Sequence, residues 1–152
     1  MTRRSAGLLM YRRKGGSTEV LLVHPGGPFW AKKDAGAWSI PKGEYDSATE
    51  DALAAAKREF TEETGFPSGD IHHSLGEAKP QGGKLVTAWA FEGDCDPNAL
   101  VSNTFELEWP PRSGRLVRYP EVDRAEWFAT EEARRRINPA QCVFIERLEN
   151  LR

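Results

Sequence analysis

The order of predicted elements favours a mixed α/β (α+β) fold, in which one mixed β-sheet lies between helices. Three observations support this fold: two strand pairs joined by glycine-containing turns, an alanine-rich helical stretch in the middle of the chain, and two helical stretches near its end. The 152 residues are enough for one domain with a full core. We therefore expect residues 1–152 to form a single domain.

The strands are predicted from runs of apolar and β-branched residues that lie between turn signals. The first strand pair surrounds the Lys14–Ser17 turn, and the second surrounds Gln81–Gly83. The predicted strands are Ser5–Arg12, Glu19–His24, Trp38–Pro41, Ser74–Lys79, Lys84–Glu92, Thr104–Trp109 and Arg124–Phe128, and the late helices are Thr130–Ile137 and Gln141–Asn150.

The segment from Gly43 to Phe66 predicts the central helix and carries most of the chemistry. At about 100° per residue, Glu59, Glu62 and Glu63 fall on one helical face. Three carboxylates this close repel one another unless a cation lies among them, and Mg²⁺ and Mn²⁺ prefer oxygen ligands of this kind. The alternative is a solvated acidic face on which Arg58 pairs with Glu62, four residues along the helix.

Flanking residues predict where this helix begins and ends. Ser47 with Glu50 three residues later matches a capping box at the start. Gly65 supplies the stop, and Pro67 prevents the helix from continuing. The glutamates are therefore expected close to the C-terminal end of a well-bounded helix.

The same segment resembles the Nudix box, whose pattern is G-x5-E-x7-R-E-U-x-E-E-x-G-U, where U is a bulky apolar residue. The matching residues, in order, are Gly43, Glu50, Arg58, Glu59, Phe60, Glu62, Glu63, Gly65 and Phe66. One residue more than the pattern allows separates Gly43 from Glu50, in the loop before the helix. The resemblance implies a Nudix α/β/α sandwich with a mixed β-sheet, formed by a single domain over 1–152 with its box at 43–66.

The resemblance also implies an activity and a role for individual residues. The family hydrolyses a nucleoside diphosphate linked to another group, with Mg²⁺ or Mn²⁺ as the cofactor. Three glutamates and one backbone carbonyl would bind the metal: Glu59, Glu62, Glu63 and Gly43. Arg58 would orient a glutamate through charge-assisted hydrogen bonds. Bound metal neutralises phosphate charge and lowers the pKa of an attacking water, and a further carboxylate takes the proton of that water.

The sequences that flank the box bear on the substrate. Trp38–Gly43, which reads WSIPKG, is similar to the W-x-x-P-K-G motif of diadenosine tetraphosphate hydrolases in this family, and Lys42 would contact phosphate. The stretch Tyr119–Phe128 resembles the acidic stretch before the last core strand of those hydrolases. On that alignment Glu121 is a further metal ligand or the general base, a role for which Glu62 and Glu63 also remain open. Two other glutamates compete with it: Glu106 and Glu108.

A nucleotide base needs an apolar or aromatic clamp. Among the candidates, Trp109 stands out because Pro110–Pro111 should hold it on a stiff, exposed loop. The aromatic candidates are Trp30, Trp38, Trp109 and Tyr119, and the basic residues that could attract outer phosphates are Lys32, Lys33, Arg112 and Arg115. The substrate-binding set is therefore predicted to be Lys42, Trp109, Arg112 and Tyr119.

Composition narrows the classes of partner and location. The formal charge of −2 argues against an extended nucleic-acid-binding surface. Cys95 and Cys142 give no disulfide framework, and no apolar run approaches the length of a membrane span. The three histidines offer no tetrahedral metal set. We expect a cytoplasmic monomer or homodimer whose partner is a small nucleotide and which does not bind a membrane.

These observations support two classes of function. The first is a Mg²⁺-dependent hydrolase of dinucleoside polyphosphates, which would cleave diadenosine tetraphosphate to ATP and AMP. Within that class, a nucleoside triphosphate, a nucleotide sugar or capped RNA is the alternative substrate. The second class is a non-catalytic nucleotide-sensing module on a Nudix scaffold, which is disfavoured because the chain retains all three helical glutamates.

Overall fold

Eight strands and three α-helices form the described part of the chain, residues 4–79 and 83–151 of a computed structural model. The strands are β1 (Arg4–Lys14), β2 (Ser17–Pro25), β3 (Lys42–Tyr45), β4 (His73–Ala78), β5 (Leu85–Glu92), β6 (Thr104–Glu108), β7 (Leu116–Pro120) and β8 (Val122–Ala129). The helices are α1 (Ala52–Thr64), α2 (Thr130–Arg136) and α3 (Cys142–Glu149), with short 3-10 turns at Pro97–Ala99 and Pro139–Gln141.

Strand β1 is the centre of a mixed six-stranded sheet. Along one edge it pairs in parallel with β5, from Arg4 opposite Leu85 to Tyr11 opposite Glu92. Its other edge is divided, because the first half pairs with β3 and the second half with β2, both antiparallel. Strand β4 extends the sheet beyond β5, and β8 extends it beyond β2. Strands β6 and β7 form a separate two-stranded ribbon.

The sheet is buried on both faces, which gives the α/β/α sandwich expected from the sequence. Leu8 and Met10 belong to the core cluster under α1, whereas Leu9 between them belongs to the cluster under α2 and α3. This alternation follows from the two-residue period of a strand. Phe60 of α1 and Phe144 of α3 are each fully buried against opposite faces.

Helix α1 begins at a different cap from the one that the sequence pattern predicts. Its N-cap is Asp51, whose side chain accepts a hydrogen bond from the Ala54 amide at 3.2 Å. The predicted Ser47–Glu50 capping box is therefore wrong. The predicted end is confirmed, since Gly65 adopts a left-handed conformation with φ of 77° and donates to the Thr61 carbonyl.

Most predicted strands are confirmed within one or two residues, and two regions differ. Trp38–Pro41 is not a strand, because Trp38 and Ser39 make only isolated bridges and the strand begins at Lys42. Strand β7 was not predicted. The second hairpin is present, and its predicted turn at Gln81 and Gly82 lies outside the described residues. Nowhere in residues 4–79 and 83–151 is a helix long and apolar enough to span a bilayer.

Candidate active site

A cavity of about 970 Å³ brings together the glutamates singled out by the sequence. Glu59, Glu62 and Glu63 enter it from α1, and Glu121 enters from the junction between β7 and β8. Three lysines also line it: Lys42, Lys79 and Lys84. Acidic and basic groups in one cleft match a substrate that carries phosphate and recruits a cation.

Gly43 allows strand β3 to approach α1 closely. It pairs with Ala6 of β1, and a Cβ atom built at Gly43 would overlap the Glu59 carboxylate. Next to it, the Lys42 amide donates to Glu63 Oε1 at 3.2 Å. The backbone of β3 therefore fixes the positions of two of the helical carboxylates.

Arg58 is the centre of a carboxylate network that joins α1 to the loop before it. Its Nε and Nη2 each donate to a different oxygen of Glu50, both at 2.9 Å. Its Nη1 donates to Glu59 at 3.1 Å and to Glu62 at 3.2 Å. The hydrogen bonds lower the pKa of Glu50 and raise the pKa of Arg58. The simple Arg58–Glu62 pair is thus one contact of a four-residue network.

The extra residue in the loop before α1 is accommodated locally. The Asp46 carbonyl accepts hydrogen bonds from the amides of Thr49 and Glu50, both at 3.0 Å. Its side chain accepts another from the Ala48 amide at 2.9 Å. Because this turn closes on itself, Glu50 still reaches Arg58.

Burial and mutual repulsion raise the proton affinity of two cavity glutamates. Burial raises the pKa of Glu63 to about 8, and the nearby Glu59 and Glu121 carboxylates act in the same direction. Burial likewise raises the pKa of Glu59, helped by Glu62 and opposed by Arg58. Carboxylates held together in this way favour a bound cation or a bound proton.

A ladder of backbone hydrogen bonds connects α1 to Glu121. The Asn103 amide donates to the Glu62 carbonyl at 2.9 Å, and the Glu121 amide donates to the Asn103 carbonyl at 2.7 Å. The Gly26 amide then donates to the Glu121 carbonyl at 3.0 Å. Asn103 also lines the cavity and had no signal in the sequence, because its position depends on contacts between distant segments.

The predicted substrate residues other than Lys42 lie on the β6–β7 ribbon. Trp109, Arg112 and Tyr119 do not line the 970 Å³ cavity. Trp109 packs edge-on against Phe29 with ring centroids 5.2 Å apart, and Tyr119 packs against Phe105. Their role in binding stays a prediction, with this placement as its structural context.

The two glutamates that compete with Glu121 have other partners in the ribbon. Glu106 pairs with Arg118 at 3.1 Å across the two strands. Glu108 accepts hydrogen bonds from the amides of Arg112 and Gly114, so it organises the loop at the end of the ribbon. Neither residue lines the 970 Å³ cavity, whereas Glu121 does.

The donor atoms of the cavity have the chemistry that a divalent metal requires. Carboxylate oxygens are the preferred ligands of Mg²⁺ and Mn²⁺. Within the described ranges, no three acidic, histidine or cysteine side chains converge on one point as they stand. Arg58 explains part of this, because its Nη1 holds Glu59 and Glu62. The residues that could hold a metal here are Glu59, Glu62, Glu63 and Glu121.

A family model described as the NUDIX domain matches residues 1–148. The chain belongs to the Nudix family. Members of the Nudix family generally use divalent metal ions, which accords with the carboxylate-lined cavity.

One curated relative matches most of this chain. An 8-oxo-(d)GTP phosphatase of Mycolicibacterium smegmatis is 33% identical over 137 residues, which cover 79% of this chain and 39% of that protein. The chain thus spans about two fifths of the length of this relative. The family and this relative support the predicted class, a hydrolase of phosphoanhydride bonds.

Solved Nudix structures confirm the fold. A C. elegans Ap4A hydrolase binary complex is 24% identical with a TM-score of 0.61, covering 97% of this chain and 96% of that chain. The NUDIX domain of Shewanella oneidensis NrtR, complexed with ADP ribose, is 13% identical with a TM-score of 0.65, covering 98% and 87%. At these identities the likeness concerns the fold alone.

Proposed function

We propose that this chain is a Mg²⁺-dependent Nudix hydrolase that cleaves a phosphoanhydride bond of a dinucleoside polyphosphate, releasing ATP and AMP from diadenosine tetraphosphate. The observation that carries the proposal is the shared cavity of Glu59, Glu62, Glu63 and Glu121, with lysines beside them. A polyphosphate chain brings several negative charges, which the lysines and a carboxylate-bound cation together neutralise.

Each cavity residue has a role in this proposal. The helical glutamates, the Gly43 carbonyl and Glu121 hold the metal, which supplies charge neutralisation and a more acidic water when bound. Arg58 keeps Glu50 beside the helical carboxylates and orients them. Lys42 contacts the phosphate chain from the start of β3. The proton of the attacking water passes to one of three carboxylates: Glu62, Glu63 or Glu121.

A second cavity supports a substrate with two bulky ends. It measures about 240 Å³ and shares Lys42, Glu63 and Glu121 with the larger cavity. A dinucleoside polyphosphate has a nucleoside at each end of its phosphate chain. Two cavities that meet at the carboxylates match that shape better than they match a substrate with a single nucleoside.

The deciding experiment is a Mg²⁺-dependent screen of dinucleoside polyphosphates, nucleoside triphosphates and nucleotide sugars in H₂¹⁸O. We expect diadenosine tetraphosphate to give ATP and AMP, with ¹⁸O in one of the two products, which identifies the attacked phosphorus. Glu62→Gln and Glu63→Gln should each lower kcat by about 100-fold or more. The exposed Glu92 lies outside both cavities, so Glu92→Gln is the matched control.

A nucleoside triphosphate, including a damaged one, is the second candidate substrate. The 33% identity to an 8-oxo-(d)GTP phosphatase favours it. A monophosphate and pyrophosphate formed faster from a triphosphate than ATP and AMP are formed from the dinucleoside would establish this alternative. If no diphosphate compound is hydrolysed with Mg²⁺, the result would favour a nucleotide-sensing module instead.

A further inference from the structure

The smaller cavity differs in character from the larger one that it adjoins. Its wall includes the buried side chains of Val23, Ile40 and Val122, together with Trp30. In the described part of the chain, the larger cavity has no aromatic residue in its lining. The apolar and aromatic surface therefore lies on one side of the shared carboxylates, which suits a flat ring more than a phosphate.

Trp30 is the aromatic residue whose exposure fits a stacking role. Trp38, another candidate from the sequence, is fully buried, whereas Trp30 is 39% exposed. The Lys33 ammonium lies 5.0 Å from the centroid of the Trp30 ring. A cation on one face of an indole leaves the other face for a second ring, and it adds positive charge close to the cavity.

The loop that carries Trp30 is held in place before any ligand binds. The Lys33 amide donates to the Trp30 carbonyl at 3.0 Å, and His24 Nε2 donates to the Lys33 carbonyl at 2.6 Å. Farther along, Trp38 Nε1 donates to Asp34 at 2.7 Å. A stacking surface on an ordered loop loses little conformational entropy when a base binds to it.

We propose that the smaller cavity binds the nucleoside at the far end of a dinucleoside polyphosphate, with its base stacked on Trp30. This inference rests on the proposed function and deepens it by assigning the second end of the substrate. The phosphate chain crosses Lys42, Glu63 and Glu121, which both cavities share. Trp30 is then a specificity-determining residue, because a nucleoside triphosphate has no second base to place there.

Steady-state kinetics with two substrates tests this assignment. Removal of a base–aromatic stack weakens binding by about 5- to 150-fold, so Trp30→Ala should raise KM for diadenosine tetraphosphate by that factor. Its kcat should stay unchanged, as should KM for a nucleoside triphosphate. Trp30→Phe should retain most of the affinity, because it keeps an aromatic face.

Ile71→Ala is the control. Ile71 is 73% exposed and lines neither cavity. We expect its KM values to equal those of the wild type. The assignment is overturned if Ile71→Ala reproduces the effect of Trp30→Ala, or if Trp30→Ala changes both substrates equally or neither.

A binding measurement separates this inference from the proposed activity. A methylene-bridged diadenosine tetraphosphate that resists hydrolysis should quench indole fluorescence in the wild type, since a stacked base quenches the ring. Trp30→Phe should bind it with little of that quenching, and Trp30→Ala should bind it more weakly. If the wild type turns over none of the substrates, the proposed hydrolase activity is refuted but the stacking is not. Equal quenching in the wild type and in Trp30→Phe would refute the stacking.

Discussion

At Gly43 the absence of a side chain sets the distance between two elements. The backbone of β3 lies directly against the Glu59 carboxylate, which occupies the space that a Cβ atom at residue 43 would need. The neighbouring Lys42 amide holds Glu63 in the same way. The positions of the proposed metal ligands therefore depend on a backbone contact as well as on helical spacing.

Gly43→Ala should weaken metal binding, because the new methyl group displaces Glu59 from its position. We expect the dissociation constant for Mn²⁺, measured by titration calorimetry, to rise about 10- to 100-fold, as for other changes that misplace a ligand. Gly93→Ala is the control, since a Cβ atom there meets Met10 and Phe91 at an ordinary 3.4 Å. An unchanged dissociation constant in Gly43→Ala would show that Glu59 does not bind the metal.

The residues of the site differ in how well the sequence predicts that they lie close together. Glu59, Glu62 and Glu63 are predictable because one helix places them together through local geometry. The positions of Asn103 and Trp30 are not predictable in this way, because each lies on a loop that is remote from α1 in the sequence. No local period describes such contacts.

Helix α1 owes its start to Asp51, and this can be tested directly. Asp51→Ala removes the hydrogen bond from the Ala54 amide and should lower the free energy of unfolding by about 1 kcal/mol. Ser47→Ala is the matched variant, because Ser47 is exposed and should cost less than about 0.5 kcal/mol. Urea denaturation followed by circular dichroism measures the free energy of unfolding of both variants. A larger loss in Ser47→Ala than in Asp51→Ala would support the capping box.

Two elements escaped prediction for related physical reasons. Strand β3 reads Lys42-Gly43-Glu44-Tyr45 and has little apolar pattern, because it borders the cavity and pairs with only half of β1. Strand β7 pairs with β6 alone and has no fully buried residue, so it lacks the apolar alternation of a core strand. Trp38–Pro41 has the apolar pattern of a strand, but the side chains of Trp38 and Ile40 fill the core instead.

At the scale of the whole molecule, Glu63 links stability to pH when no metal is bound. Its pKa rises from an ordinary 4.5 to about 8, chiefly through burial. Between these values the folded chain keeps a proton that the unfolded chain has released, so the free energy of unfolding falls as the pH rises. We expect the melting temperature of the metal-free protein to fall between about pH 5 and pH 8.

Glu63→Gln should flatten this fall, because glutamine has no proton to lose. Glu92→Gln, an exposed control on the end of β5, should keep it. Saturating Mg²⁺ should stabilise the wild type more at pH 8 than at pH 6, since a metal binds the ionised carboxylate. Parallel curves for wild type and Glu63→Gln, recorded by scanning calorimetry without metal, would contradict the link.

The layered architecture is the most predictable property at this scale. Alternation in β1 and the apolar faces of α1 and α3 assign each residue to one side of the sheet without knowledge of the partner. The ribbon is less predictable, because its contacts with the rest of the fold join segments far apart in the sequence, such as Trp109 with Phe29. Its placement follows from Asn103 and Glu121, which bond to each other across its base.

That backbone ladder has a spectroscopic consequence. The amide protons of Asn103, Glu121 and Gly26 form a line from the carbonyl of Glu62 to the loop that carries Trp30. Because these amides lie between the carboxylates and that loop, their NMR chemical shifts should respond both to a cation at the carboxylates and to a base at Trp30. Three resonances would thus report a cation at the carboxylates and a base in the smaller cavity in an unaltered protein.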